Sequence, residues 1–329
     1  MKIAIVKLSA MGDIIHAMVA LEFIKKARPM IQIDWIVEEA FAPLLEQNPH
    51  IDTILPVNLK AIKKDKTALF REIRKVKSYA KNNYDLIIDA QGLLKSALVA
   101  RVLGKNIAGY SKDSIREGIA SYFYKQKVAI GYEQNAITRN IKVICEPLGI
   151  VVDEDEILNK KPFLYFDTTA PLSRVPDRFI VFVVGASVVN KIYPKEKFLQ
   201  IAQALENEEI VVVWANEREY KIGEFLAKEA KNVHLLDKLN LDALKHLLSK
   251  AQLVIGGDTG PTHMAWGLNV PSITIFGNTP QYRNTFITPI NRVVKSHTQV
   301  NALKLDKSDF SIQEIDPQEV IELVKELLK

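Results

Sequence analysis

The sequence predicts an α/β protein made of two doubly wound, Rossmann-like domains, and three observations carry that prediction. Short β-branched runs alternate with helical stretches along the chain, the pattern of parallel sheets with crossover helices. The alternation stops once, over Asp167–Arg178, where Pro171 and Pro176 sit in a segment without apolar periodicity, and then restarts. The length, 329 residues, suits two domains of about 100–200 residues each. The expected domains are 1–170 and 178–315, with a terminal helix over 316–329 that can pack back on the first.

In the first half, Lys2–Leu8 reads as a strand, Ile14–Ala27 as a helix, Ile33–Val37 as a strand, Glu39–Gln47 as a helix and Thr53–Val57 as a strand. Leu69, Ile73, Val76 and Ala80 recur at helical spacing and predict a helix over Thr67–Lys81. A buried strand at Leu86–Ala90 and a helix at Leu93–Leu103 follow, with helices at Ile115–Tyr124 and Glu133–Glu146. In the second half, strands are expected at Phe179–Val184, Ile210–Ala215, Val233–Leu236, Leu253–Ile255 and Ser272–Phe276. Helices are expected at Lys195–Leu205, Glu217–Ala230, Leu241–Leu248, Thr262–Gly267 and Pro317–Lys329, while Gly277–Asp309 shows weak periodicity. Two such domains joined by one linker should bring the C-terminal ends of both sheets around a central cleft, and ligands of open α/β sheets bind at those ends.

The composition narrows the function classes. Apolar residues make up 48% and charged residues 25%, which excludes a disordered chain, a coiled coil and a collagen-like repeat. One cysteine, Cys145, excludes an internal disulfide framework and a four-cysteine zinc site. No apolar run approaches the ~20 residues of a membrane helix. The N-terminal stretch carries Lys2 and Lys7 and no small-residue cleavage site, so it is not read as a signal peptide, and a cytoplasmic location is expected. The net charge of +5 comes from one place, because Lys60–Lys81 holds nine Lys/Arg against two acids. Such a run is either a solvated helix face or an electrostatic site for an anionic partner: nucleic acid, acidic lipid or a phosphorylated substrate.

Three constellations can carry chemistry. Ser9-Ala10-Met11-Gly12-Asp13 follows the first strand and opens a helix. Gly12 permits close backbone approach or a positive φ. Asp13 is either a helix-dipole partner or a general base beside a hydroxyl nucleophile; Lys7, ending the same strand, would help keep it ionised. A dinucleotide fingerprint is excluded, since G-x-G-x-x-G is absent. In the second domain, Gly256-Gly257-Asp258-Thr259-Gly260-Pro261-Thr262-His263 turns a buried strand into a helix with proline at its start. The N–H groups of Thr262 and His263 and the positive helix end suit a pyrophosphate, and Asp258, which repels phosphate, is assigned to sugar hydroxyls. Third, Gly185-Ala186-Ser187 to Lys191 lies after the second domain's first strand, where Ser187 can bond phosphate oxygens and Lys191 can neutralise them. Glu217 and Glu219 follow the next strand, and either can accept ribose hydroxyls or serve the helix N-terminus. His16, His50, His234, His246 and His297 lack metal-ligand spacing, and Trp35, Trp214 and Trp266 read as packing groups.

Taken together, the motifs resemble the lipopolysaccharide heptosyltransferases, in particular those that add the first heptose. The resemblance rests on Ile5–Asp13, Asp34-Trp35-Ile36-Val37-Glu38-Glu39, Asp89–Ala97 with Gln91-Gly92, Arg116-Glu117, Ala120–Tyr124 and the Asp258-Thr259-Gly260 to His263 turn, spread over nearly the whole chain. It implies a GT-B fold and inverting transfer of L-glycero-D-manno-heptose from ADP-heptose to Kdo on lipid A, with no metal and no cofactor. It also implies peripheral action on the cytoplasmic face of the inner membrane; the sequence leaves the oligomeric state open, with a monomer as the expectation. By the same resemblance Asp13 is the catalytic base and Lys191 the donor-phosphate lysine. Ser187, Glu219, Asp258, Thr259, Gly260, Thr262 and His263 line the donor site, and Lys7, Gly12, Lys60, Lys63, Lys64, Gln91 and Arg116 serve the acceptor. Two departures stand out. Ala186-Ser187 occupies a place where the family often has two threonines, and Lys60, Lys63 and Lys64 stand where it favours arginines, which bind phosphate through a bidentate fork. Other classes considered are a heptosyltransferase of another core position and a non-enzymatic nucleotide- or sugar-binding protein. Nucleic-acid binding is disfavoured, because only Phe70 and Tyr79 interleave with the lysines.

Overall fold

The computed structural model describes every residue except Ala170, Pro171, Ser173 and Arg174, together with the side chain of Lys63. Part of the expected linker, including Pro171, thus lies outside the described residues. The chain divides into two units, Met1–Tyr165 and Phe166–Lys329. In the first, the order is β1 (Lys2–Val6), α1 (Met11–Met18), α2 (Ala20–Ala27), β2 (Gln32–Glu38), α3 (Ala42–Leu45), β3 (Thr53–Val57) and α4 (Ala68–Tyr79). It continues with β4 (Leu86–Asp89), α5 (Leu94–Leu103), β5 (Ile107–Tyr110), β6 (Gln126–Val128), α6 (Ala136–Cys145) and α7 (Glu154–Leu158). The second unit runs β7 (Ile180–Val183), α8 (Lys195–Ala204), β8 (Ile210–Val213), α9 (Glu217–Glu229), β9 (Val233–Leu235) and α10 (Leu241–Lys250). It ends with β10 (Leu253–Gly257), α11 (Gly260–Gly267), β11 (Ser272–Phe276), α12 (Gln281–Asn284), β12 (Asn291–Lys295) and α13 (Pro317–Leu327).

Each unit holds one six-stranded sheet, ordered β3-β2-β1-β4-β5-β6 in the first and β12-β11-β10-β7-β8-β9 in the second. Every pairing is parallel, for example Ile5 against Trp35 and Ile88, or Ile255 against Phe182 and Ile273. Helices on both faces bury such sheets, which is why their inner strands are continuous apolar runs. β7 (IVFV) and β8 (IVVV) are buried throughout. In both sheets the winding reverses between the first and fourth strands, β1/β4 and β7/β10. That reversal splays the connecting loops apart and opens the crevice where ligands of doubly wound sheets sit.

Several expectations need correction. The predicted helix over Ile115–Tyr124 is only a 3-10 segment, Gly118–Phe123, preceded by Glu117, which leaves the helical path and accepts the backbone N–H of Leu94 at 2.7 Å. The long first helix is split at Val19 into α1 and α2. Within the second unit, the terminal helix α13 packs on α8, β11 and β12. Val320, Ile321 and Val324 join Phe198 and Ile201 in the core of the second unit, where burial of their apolar surface holds the helix in place.

Candidate functional site

In the first unit the switch point is built around the loop after β1. Asp13 is the third residue of α1 and stays exposed, its Oδ2 accepting the backbone N–H of Ala10 at 3.3 Å. The carboxylate thus serves the helix start while facing solvent at the C-terminal edge of the sheet. Gly12 lies inside α1 and takes no left-handed conformation, so the positive-φ reason for this glycine is absent. Gln91, after β4, accepts from the N–H groups of Leu8 and Ser9 at 3.0 and 3.1 Å and so fixes the Asp13 loop from the neighbouring strand. Lys7 is buried, and its ammonium donates to the Ala90 carbonyl and to Asn140 Oδ1, both at 2.9 Å. Both residues therefore brace the loop from within the first unit, with Gln91 half-buried. Beneath them Asp89 accepts from the N–H groups of Gln91 and Gly92 and from the hydroxyls of Ser96 and Tyr124. Burial pushes its carboxyl up, against the pull of those donors.

The basic residues assigned to an acceptor are distributed around this edge. Lys60 is exposed, with its ammonium over the Phe41 ring at 5.1 Å, and Lys64 is exposed as well, whereas the Lys63 side chain lies outside the described residues. Arg116 stacks over Tyr132 at 5.2 Å, a ring that Arg139 also covers. Sequence reasoning missed Glu38, at the end of β2. Its N–H donates to the Leu8 carbonyl, it is 2% exposed, and its Oε1 has no hydrogen-bond partner among the described residues. Burial raises its carboxyl, while the charges of Lys95 and Lys60 pull it back. The available signal was an acid closing the apolar run Trp35-Ile36-Val37.

In the second unit the switch point collects charged groups more tightly. Asp258, 8% exposed at the end of β10, accepts from four side chains: Lys191 Nζ at 2.8 Å, Thr279 Oγ1 at 2.8 Å, Asn284 Nδ2 at 3.0 Å and His263 Nε2 at 3.0 Å. Burial alone would raise this carboxyl, but the Lys191 and His263 charges beside it outweigh burial and hold it well below the usual carboxylate range. With four internal donors, Asp258 anchors the side chains of Lys191 and His263. Thr279 and Asn284 were not singled out from sequence, since both lie in the stretch of weak periodicity after β11.

α11 begins two residues earlier than expected, at Gly260 with Thr259 as N-cap, which puts Pro261 second. The N–H of His263 is already bonded to the Thr259 carbonyl at 3.2 Å. The N–H groups that helix geometry leaves for an anion are then those of Gly260 and Thr262, not those of Thr262 and His263. The Thr262 hydroxyl is tied to the Gly257 carbonyl at 2.7 Å. Gly257 lets β10 approach the Lys191 turn closely, since an added Cβ would stand 3.0 Å from the Lys191 carbonyl oxygen and push it back. Ser187 is exposed on the loop after β7. Glu219 is buried, its Oε2 accepting from Ala215 N–H at 2.8 Å and its Oε1 from Asn216 Nδ2 at 2.7 Å. Gly185 backs directly on that carboxyl, since a Cβ there would fall 2.1 Å from it. Arg218, overlooked in the sequence, donates to the Ala186 carbonyl at 3.1 Å and brings a second cation to the loop that lacks a hydroxyl at 186.

Of the remaining histidines, His50 pairs with Glu22 at 3.1 Å and His246 stacks on Phe166. Among the described residues no three His, Cys, Asp or Glu cluster as a metal site, and no helix is long and apolar enough to cross a membrane. Cys145 is buried, which pushes its thiol up to about 12.

Chemically, the second unit offers a helix N-terminus, an aimed lysine and a hydroxyl around one point, a site for a polyanion whose charge rises as a bond breaks. Comparison with known proteins agrees with this. Residues 72–311 match glycosyltransferase family 9 (heptosyltransferase). The chain is 38% identical to lipopolysaccharide heptosyltransferase 1 of Campylobacter coli, with 99% of each chain covered. It is 30% identical to the protein of the same name from Escherichia coli strain K12, over 85% of this chain and 88% of that one. The solved structure of E. coli heptosyltransferase WaaC with ADP-2-deoxy-2-fluoro heptose superposes with a TM-score of 0.81 at 26% identity, covering 99% of each chain. E. coli ADP-heptose lps heptosyltransferase II shares the fold at a TM-score of 0.75 and 19% identity. The fold, the charged switch point and these matches place the chain in glycosyltransferase family 9, the heptosyltransferases.

Proposed function

We propose that this chain transfers L-glycero-D-manno-heptose from ADP-heptose to a Kdo sugar of Kdo-lipid A, with inversion, in the synthesis of the lipopolysaccharide inner core. The observation that carries the reading is the Lys191–Asp258–His263 cluster at the N-terminus of α11, in a chain similar to an enzyme solved with an ADP-heptose analogue. On this reading the donor diphosphate lies against the N–H groups of Gly260 and Thr262, with Thr259 and Ser187 as hydroxyl donors. Lys191 bridges from Asp258 to the phosphates, and Glu219 meets the ribose. Asp13 takes the proton of the acceptor hydroxyl as that oxygen attacks the anomeric carbon and the bond to ADP breaks. Lys191 and the helix end stabilise the negative charge that gathers on the leaving diphosphate, a difference between ground and transition state and so a contribution to kcat. Lys60, Lys63, Lys64 and Arg116 neutralise the acceptor's carboxylates and phosphates. An acceptor embedded in lipid places the reaction on the cytoplasmic face of the inner membrane, with the protein bound peripherally as a monomer.

The test is ADP release from ADP-heptose, measured with and without a Kdo-bearing acceptor. Release that depends on the acceptor supports transfer. Equal release in both cases means hydrolysis, and no release in either means a binding protein; both outcomes contradict the proposal.

A further inference from the structure

The first unit carries an exposed face that the transfer chemistry does not use. α4 turns Arg74 and Lys77 outward, with Phe70 74% exposed, while its only acid, Glu72, is buried. α5 contains no acid, and its outer stripe reads Leu94, Lys95, Leu98, Arg101, with Leu98 48% exposed. The segment Gly118–Phe123 adds Ile119 and Tyr122, 65% and 72% exposed. α5 packs against both α4 and this segment, so the three strips adjoin. Single exposed apolar residues need no explanation, but large ones clustered on adjacent elements among cations mark a contact surface.

The chemistry of the strips selects the occupant. Two of the four large apolar groups, Leu98 and Ile119, gain nothing from the stacking that drives single-strand nucleic-acid binding, and the aromatic pair Phe70 and Tyr122 sits on the outer strips, on either side of α5. Apolar side chains flanked by lysine and arginine are what partitions into the headgroup boundary of a negatively charged bilayer. We infer that the face formed by α4, α5 and Gly118–Phe123 docks on an anionic lipid bilayer. Phe70, Leu98, Ile119 and Tyr122 enter the acyl boundary, and Arg74, Lys77, Lys95 and Arg101 meet lipid phosphates. The inference rests on the proposed lipid-borne acceptor for its purpose, while the docking itself is measurable without any transfer reaction.

The experiment is co-sedimentation of the full chain with vesicles containing phosphatidylglycerol and with vesicles of phosphatidylcholine alone. The parent protein is expected to partition about tenfold or more in favour of the anionic vesicles. Replacing Phe70, Leu98 and Ile119 together by serine is expected to lower that partition by about tenfold or more, and changing Arg74, Lys77, Lys95 and Arg101 together to serine should remove the preference for anionic lipid. The ADP-induced rise in Tm and turnover of an acyl-free, Kdo-bearing acceptor should persist in the apolar triple variant, showing that the fold and the site are intact. Equal partition of the parent onto both vesicles, or parent-like partition of the triple variant, overturns the inference. So does oligonucleotide binding in the absence of vesicle binding. Failure of the parent to turn over the acyl-free acceptor would instead overturn the proposed function and leave the vesicle result standing.

Discussion

At the position of Asp13 the sequence and the structure agree that an acid opens the first helix at the sheet edge, and the structure adds that its carboxylate is exposed. Asp13→Asn is expected to lower kcat by roughly 10²–10⁴, the usual worth of a positioned base, with ADP affinity unchanged by calorimetry; near-parental turnover would reduce Asp13 to a helix-end residue. Lys191→Ala removes one of four donors to a buried carboxylate. It should weaken ADP binding, slow transfer, and cost about 1–3 kcal/mol of stability from the donor lost to Asp258. Unchanged ADP affinity and kcat together would place Lys191 outside the donor site. Asp258 and Glu38 should affect stability in opposite directions with pH. The carboxyl of Asp258 is held low, so its contribution is present above the unfolded Asp value of about 3.9 and is lost as pH falls through its folded value. Glu38 is raised, so its folded form favours the proton, and stability falls as pH rises through the raised value. Denaturation of the Glu38→Gln variant between pH ~4 and pH ~8 should show a flatter decline on the rising side than the parent; identical curves would mean that Glu38 is not ionised at a cost. These roles were only partly legible. Asp13, Lys191 and His263 stood out because they follow strands in Gly-rich turns. Glu38 and Asn284 did not, because one closes an apolar strand and the other reaches Asp258 from 26 residues away.

Among the elements, the buried inner strands were readable because a parallel strand covered on both faces must be a continuous apolar run. β1, β4, β7, β8 and β11 follow that rule. Missed strands are short or at the margin: β6 (QKV) and β12 (NRVVK) lie at sheet edges, where polar side chains discourage further pairing. β5 is interior but only four residues with Gly109 inside. The position of α13 was not legible, because an amphipathic helix shows that it has a partner and not which one. Ile321→Ala is expected to cost about 2–4 kcal/mol. Hydrogen exchange should show lost protection in α8 and β11 with β1 to β6 unaffected; the reverse pattern would assign the helix to the first unit. The donor loops raise a similar question of fit. Gly185→Ala should displace the Glu219 carboxyl, which an added methyl would overlap, and raise the Kd for ADP, whereas an unchanged Kd would show that Glu219 has no part in the donor site.

For the whole molecule, the charge distribution matters more than the total. The +5 of the chain arises from the run around Lys60–Lys81, which the fold divides between the edge of the first sheet and the outer face of α4. Replacing Lys60, Lys63 and Lys64 by serine should raise the acceptor KM and leave ADP affinity intact. Salt should reproduce the change in the parent, because a Debye length of about 10 Å at 0.1 M screens exposed charges. A salt-insensitive KM, equal in both proteins, would return these lysines to a solvated surface. The central claim is that one chain holds ADP-heptose on its second sheet and a Kdo acceptor on its first. Mass spectrometry of Kdo-lipid A after incubation with the protein and ADP-heptose tests it most directly. The expected product carries one added heptose on Kdo, formed by the parent and strongly reduced with Asp13→Asn. Unmodified acceptor with the parent, or an equal yield from both proteins, would contradict it.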